Sequence, residues 1–297
     1  MLKTLFAILL LAYATGAMAL PFGSRYAIVV DEDTGKVLLE KDAESVTPIA
    51  SLTKLMTAMV VLDSKPNMEE PIHIDQLDVD TIKHSASHVP VGVTLPRKTV
   101  LQLALMSSDN RAAAALARTY VGGRAAFIVA LHAKLNALGM THTSLEEPTG
   151  LSSNNTSTAA DLVKMAVAAS KYPDIARITT DQRDIIDIKG RSVEYHNTNR
   201  MVGQKGWNIL LSKTGFINEA GRCIIMRFKS AGKNIVMVLL DAKSSSIRTL
   251  DALNIRHLIA GDAPSIRQAR RYKRVRHYAK NDHRQRRHFS RTLVASS

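Results

Sequence analysis

Ile49-Ala-Ser-Leu-Thr-Lys-Leu-Met-Thr-Ala-Met-Val-Val-Leu62 carries both the strongest fold signal and the first chemical signal of the chain. Its residues Leu52, Leu55, Met56, Met59 and Val60 recur at i, i+3, i+4, i+7 and i+8, one face of an α-helix. The other positions are largely Thr, Ala and Val, so the pattern predicts a helix buried on most sides. Ser51 and Lys54 stand three apart within it, which sets the lysine one turn below the serine on a shared face. A serine hydroxyl is a poor nucleophile until a nearby base takes its proton. Lysine can be that base only when neutral, a state favoured by burial, which this helix supplies, and by a neighbouring cation, expected from Lys213.

Outward from this helix the pattern changes twice. Tyr26-Ala-Ile-Val-Val30 and Lys36-Val-Leu-Leu39 flank Asp33-Thr34-Gly35, a strand–turn–strand signal. An Ala-rich middle third reads as helices over residues 100–106, 111–120 and 124–138, the last closed by Gly139. Pro148-Thr-Gly150 and residues 152–157 mark a loop, and Thr158-Ala-Ala-Asp161 reads as a capping box opening a helix over 162–170. Strands return at 208–211, 222–228 and 234–240, with Ala231-Gly232 turning between the last two. A final helix is expected over 247–259, stopping at Gly261. Strands at both ends with helices between them predict a mixed α/β (α+β) fold. An antiparallel sheet would carry the terminal helix on one face, with a helical lobe elsewhere.

Two further polar clusters follow Ser51-Leu-Thr-Lys54 in order: Ser108-Asp-Asn110 and Lys213-Thr-Gly215. Ser108 and Asn110 fall at a helix junction. The Ser108 hydroxyl can both accept and donate a proton, and the Asn110 amide can hold Lys54 and a substrate carbonyl. Asp109 is expected to cap the helix that follows. Lys213 and Thr214 on a strand offer an ammonium and a hydroxyl to a carboxylate, and Gly215 lets a substrate backbone approach. The backbone N–H groups of Ser51 and Phe216 are the candidate oxyanion hole. Each cluster alone is weak. Ser230-Ala-Gly-Lys233 repeats the first spacing, but on a hairpin turn where both side chains should face water. The Ser/Asn pairs 152/154 and 153/155 lie in a polar loop. The ordered set is what carries specificity.

Other chemistries find no support. The ten histidines show no H-E-x-x-H or other metal-ligand spacing, no G-x-S-x-G elbow is present, and no Walker or dinucleotide glycine pattern occurs. Neither a metal nor a cofactor is therefore expected. Met1-Leu-Lys3, an apolar run over residues 5–11 and Ala17-Met-Ala19 read as a signal peptide spanning 1–19, which implies export to the periplasm. The lone Cys223, in an apolar run, is expected to be a small buried side chain. The net charge of +14 is uneven: of 40 Lys and Arg, 11 fall between residues 264 and 297 beside a single acid, Asp282. The body is close to neutral, and no nucleic-acid partner is expected. Residues 263–297 read as a solvated, disordered basic tail whose candidate partner is an anionic cell-wall or membrane surface.

With these motifs in place, the chain resembles the low-molecular-mass penicillin-binding proteins of the D-alanyl-D-alanine carboxypeptidase family, from about Tyr26 to Gly261. Pro48-Ile-Ala-Ser-Leu-Thr-Lys54, Pro148-Thr-Gly-Leu151 and Ser157-Thr-Ala-Ala-Asp161 are typical of it. His196-Asn-Thr-Asn199 and Lys213-Thr-Gly-Phe-Ile-Asn-Glu-Ala-Gly-Arg222 most resemble the endopeptidase type, penicillin-binding protein 7. The resemblance implies a β-lactamase/transpeptidase-like fold over residues 20–262. It also implies cleavage of D-alanyl bonds in peptidoglycan stem peptides and covalent inhibition by β-lactams. Ser51 would be the nucleophile, Lys54 its base, and Ser108, Asn110 and Lys213 the rest of the site. Arg248, at the start of the last helix, would help bind a terminal carboxylate. The alternatives are a β-lactamase, for which Glu146 and Glu147 are the weak candidates for a deacylating glutamate, and a non-catalytic penicillin-sensing or wall-binding protein.

Overall fold

The computed structural model describes residues 22–262; the expected signal peptide and basic tail lie outside the described residues. The chain opens with β1 (Tyr26–Asp31), β2 (Val37–Lys41) and β3 (Thr47–Pro48), then a 3₁₀ turn at Ala50–Leu52 that leads into α1 (Thr53–Asp63). The helical lobe follows: β4 (Pro71–His73), β5 (Thr94–Pro96), α2 (Arg97–Met106), α3 (Asn110–Arg118), α4 (Gly123–Ala137), β6 (Thr156–Ser157), α5 (Ala159–Ala169) and α6 (Pro173–Thr180). A hairpin of β7 (Arg183–Ile188) and β8 (Arg191–His196) precedes β9 (Asn208–Ile217), β10 (Gly221–Ser230), β11 (Lys233–Ala242) and α7 (Ser245–Ala260).

Five strands form one antiparallel sheet in the order β2-β1-β11-β10-β9. Successive side chains of a strand go to opposite faces, and here both faces are covered. Ile28, Val30, Ile225, Val236 and Val238 join the core shared with the helices. Ala27, Val29, Ile224, Met226, Met237 and Leu239 build a second core with Ala252 and Ile255 of α7. This is the expected arrangement of a sheet between a terminal helix and a helical lobe.

The helix α1 runs through the larger core, and every residue from Thr53 to Val61 is buried. Burying each of Leu55, Met56 and Met59 stabilises the fold by about 1.5–3 kcal/mol. The expected single helix over 49–62 is nevertheless broken. Ala50 has φ +50°, a left-handed backbone that cannot continue into an α-helix, so the α-helix begins at Thr53. The helix expected over 162–170 starts instead at Ala159, directly after its cap Thr158, whose side chain accepts from Asp161 N at 3.0 Å. The return limb of the capping box is absent, because the Asp161 carboxylate accepts from His142 N and Thr143 Oγ1. Cys223 is fully buried, which pushes its thiol pKa up to about 12.

Strand β9 is one of the sheet's two edge strands, and the 3₁₀ turn lies against it. A Cβ built on Gly215 would fall 3.0 Å from Ile49 O and 3.1 Å from Ser51 N. Glycine there permits the sheet and the helical lobe to meet backbone to backbone.

Candidate active site

Four elements converge at this junction. Ser51 comes from the 3₁₀ turn and Lys54 from the first turn of α1. Ser108 and Asn110 come from the α2–α3 junction, and Lys213 from β9. Lys54 Nζ lies 2.8 Å from Ser51 Oγ, 2.7 Å from Asn110 Oδ1 and 2.6 Å from Thr149 O. Asn110 Oδ1 and Thr149 O can only accept, so they fix two N–H bonds of the lysine and aim its third position at Ser51 Oγ. Lys213 Nζ donates to Ser108 Oγ at 2.7 Å and to Thr214 O at 3.0 Å. The three motifs of the sequence thus become two lysine–serine pairs at one junction of sheet and helical lobe.

Both lysines are almost fully buried. Desolvation lowers the pKa of Lys54 to about 8, opposed by the carboxylates of Glu147, Asp109 and Asp80. Lys213 is held well below the ordinary lysine range by desolvation first, then by the charges of Lys54 and Arg248. Burial, which the sequence argument expected, is the first cause for both lysines; the neighbouring positive charge it also expected acts on Lys213, whereas the charges acting on Lys54 are carboxylates that oppose burial. The repulsion is mutual, and it disfavours holding both protons at once.

The supporting contacts are specific. Asp109 caps α3 by accepting from Ala112 N at 2.9 Å, as expected, and also accepts from Ser87 Oγ at 2.8 Å. Ser85 Oγ accepts from Asn110 Nδ2 at 2.8 Å, which turns the amide oxygen toward Lys54. Ser108 has φ +62°, so a second motif residue sits in a strained left-handed conformation at this junction. Thr214 Oγ1 meets Thr198 Oγ1 at 2.7 Å. Arg248, nearly buried on α7, donates from Nη1 to Cys223 O at 3.0 Å, and Cys223 faces Gly215 across the ladder. Its Nε has no hydrogen-bond partner among the described residues, and burial lowers its pKa to about 10. Phe216 is half-exposed, with the Arg222 guanidinium stacked 3.5 Å from its ring centroid. A cleft of about 310 Å³ opens beside Asn110, Pro148 and Thr149, large enough to take a peptide side chain or two. Ser230 and Lys233 of the repeated spacing lie at the β10–β11 turn, in a segment exposed to solvent.

Thr149 O and Ser85 have no counterpart in the sequence argument, and Thr198 appears there only inside the stretch His196-Asn-Thr-Asn199, with no role assigned. A backbone carbonyl has no residue-type signature, and hydroxyls from polar loops carry no periodicity. Pro148-Thr-Gly150 is the one visible trace of the first.

A family profile described as D-alanyl-D-alanine carboxypeptidase matches residues 14–244. The D-alanyl-D-alanine endopeptidase of Pseudomonas aeruginosa is 42% identical over 266 residues, spanning 86% of this chain and 86% of its own. That of Escherichia coli is 42% identical over 247 residues, spanning 82% and 80%. Among solved structures, a Streptomyces DD-transpeptidase superposes with a TM-score of 0.73 at 26% identity, covering 79% of this chain and 95% of its own. Penicillin-binding protein D2 of Listeria monocytogenes, in its cefotaxime-bound form, gives 0.68 at 27% identity, covering 80% and 96%. Two buried lysines, each paired with a serine at the edge of an antiparallel sheet, in a chain with these relatives, leave one conclusion: the protein is a serine DD-peptidase and belongs to the D-alanyl-D-alanine carboxypeptidase family.

Proposed function

We propose that Ser51 is the acyl-enzyme nucleophile of a peptidase that hydrolyses D-alanyl bonds in peptidoglycan, with cross-links between stem peptides as the preferred target. The observation that carries this reading is the set of three acceptors around Lys54 Nζ, one of which is Ser51 Oγ. With Lys54 neutral, its two N–H bonds stay on Asn110 Oδ1 and Thr149 O, and its lone pair faces the serine proton. Ser51 Oγ then attacks the D-alanyl carbonyl as Lys54 takes the proton. Charge developing on the carbonyl oxygen is met by the N–H groups of Ser51 and Phe216.

A carboxylate beside the leaving nitrogen pairs with Lys213, Thr214 and Arg248. That pairing favours the ammonium form of Lys213, so mutual repulsion leaves Lys54 as the lysine without its proton. The proton taken by Lys54 passes through Ser108, held by Lys213, to the leaving amine; water then attacks the ester carbonyl, and its proton returns to Ser51 Oγ as the acyl group leaves as a carboxylic acid. The preference for cross-links is supported by the 42% identity to two endopeptidases, against 28% to a Bacillus subtilis carboxypeptidase. The reading includes export to the periplasm, where its substrate lies, and attraction of the basic tail to an anionic wall or membrane surface. A β-lactamase would need a carboxylate free to activate a deacylating water. The Glu146 carboxylate accepts from Ser152 Oγ and Asn154 Nδ2, and that of Glu147 is occupied by its own loop.

A labelled penicillin is expected to attach to the wild type and not to Ser51→Ala. Absence of label on the wild type defeats the reading, and rapid release of hydrolysed drug turns it toward β-lactamase. A pentapeptide and a cross-linked dimer offered side by side test the preference: faster cleavage of the pentapeptide overturns it.

A further inference from the structure

Lys54 and Ser51 are held from one side by a loop, residues 147–155, that contributes no side chain to them. Thr149 O accepts from Lys54 Nζ at 2.6 Å. Gly150 lies so close to the 3₁₀ turn that a Cβ on it would fall 2.0 Å from Ala50 O and 2.8 Å from Ser51 N, and its φ of +81° suits glycine. What folds this loop is one carboxylate. Glu147 Oε2 accepts from Thr149 N at 2.7 Å and Thr149 Oγ1 at 2.5 Å; Oε1 accepts from Gly150 N at 2.6 Å and Asn155 Nδ2 at 3.1 Å. Asn155, fully buried, also donates to Glu147 O at 2.9 Å, and its carbonyl accepts from Ile49 N at 3.0 Å. The loop is thereby tied to the residue two before the nucleophile.

We propose that Glu147 is a positioning residue: its carboxylate clasps the 147–150 turn so that Thr149 O holds Lys54 and Gly150 backs the Ser51 backbone in reactive geometry. The inference rests on the proposed roles of Ser51 and Lys54. It has two physical parts. The hydrogen bonds set the position of the Thr149 carbonyl; backbone N–H donors on a carboxylate make strong, charge-assisted bonds. The negative charge also stands near Lys54, together with Asp109 of the α2–α3 junction and Asp80 of the 76–82 segment, and opposes the lowering by burial; the basic group facing Lys54 from β9 is Lys213.

The two parts predict a signature that loss of fold alone cannot give. Glu147→Gln removes the charge and replaces one acceptor oxygen by an amide, so the clasp loosens while the side chain keeps its size. The acylation rate by a labelled penicillin is expected to fall roughly tenfold to a hundredfold at its high-pH plateau, as misplacement of a reacting group costs. With the opposing carboxylate gone, Lys54 loses its proton more readily, so the rising limb of the rate–pH profile moves to lower pH. Glu147→Asp keeps the charge and should leave that limb in place while the plateau still falls. Glu146→Gln is the control on the adjacent carboxylate, which bonds Ser152 and Asn154; its rate and limb should match the wild type. Thermal unfolding of each variant confirms that the folded fraction is the one assayed. A Glu147→Gln plateau and limb equal to wild type overturn the inference. So does normal acylation with slowed release of the acyl group, which would make Glu147 a deacylation base. Failure of the wild type itself to acylate defeats the proposed function instead, and so the two failures are distinguishable.

Discussion

The two walls of the site are positioned by different physics. Lys213, Thr214 and Gly215 belong to a ten-residue strand paired along its length with β10, so ladder hydrogen bonds and two buried faces fix them. The opposite wall is built from ends and junctions: the 3₁₀ turn carrying Ser51, the α2–α3 junction carrying Ser108 and Asn110, and the 147–150 loop. Its backbone is strained at Ala50 (φ +50°) and Ser108 (φ +62°), and side-chain bonds from Ser85, Ser87, Glu147 and Asn155 hold it. A ladder tolerates the loss of one contact, whereas a strained junction depends on each. The strand wall should therefore govern binding, and the junction wall chemistry.

The comparison is broken most directly at the junction wall. Ser51→Ala should remove covalent labelling and reduce peptide hydrolysis by roughly a millionfold, as loss of a nucleophile does. Retained turnover after purification from a strain lacking other DD-peptidases would place the nucleophile elsewhere. Lys54→Met should reduce acylation by about a thousandfold or more, at the upper end of general-base effects. The pH profile checks the assignment. The folded pKa of Lys54, about 8, lies below its ordinary value of 10.5, and the neutral form is the proposed base, so acylation by the wild type should rise as pH increases through about 8. A flat profile from pH 6 to 9 would remove Lys54 from the role.

How far the sequence foretold these walls follows from the same distinction. Regular elements print their period: Leu52, Leu55, Met56, Met59 and Val60 gave α1, and the strand runs gave β1, β10 and β11. The Ser51–Lys54 spacing was readable because three residues make nearly one helical turn, even though the 3₁₀ turn under Ser51 was not. The β7–β8 hairpin was missed because Ile185 and Ile186 are adjacent, one exposed and one buried, which hides the alternation. The junction contacts were illegible for a deeper reason. Thr149 acts through its carbonyl, Glu147 through a turn two residues long, and Thr198 through a hydroxyl from a loop, none of which a period or a spacing encodes.

Gly150→Ala tests the junction wall through packing. The added methyl meets the backbone of Ala50 and Ser51 and forces an alanine to φ +81°, so stability should fall by about 3 kcal/mol. Gly35→Ala is the paired measurement: its φ is +71°, but nothing lies within 4 Å, and about 1 kcal/mol is expected. Equal midpoints for the two variants in denaturant unfolding would mean that the approach to Ser51 is not tight. On the strand side, Arg248→Gln should weaken binding by about 2 kcal/mol, the worth of a charge-assisted hydrogen bond. That appears as a KM for a peptide with a free terminal carboxylate raised roughly thirtyfold, with kcat little changed. An unaltered KM would remove Arg248 from the carboxylate site.

The smallest expected effect discriminates most finely, because it falls where the walls touch. Thr198 N donates to Met106 O at the end of α2, two residues before Ser108, while Thr198 Oγ1 meets Thr214 Oγ1 of the strand motif at 2.7 Å. The threonine thus links junction to ladder through a single hydroxyl. Thr198→Val keeps the shape and deletes that link. The Thr214 hydroxyl is not fully buried and can turn to water or to a substrate carboxylate, so the net loss is that of one hydrogen bond, about 1 kcal/mol. If the walls work independently, KM rises roughly fivefold and the acylation plateau stays where it was. A plateau lowered a hundredfold instead would mean that the strand positions Ser108 through Thr198, and the division between a binding wall and a chemical wall would fail.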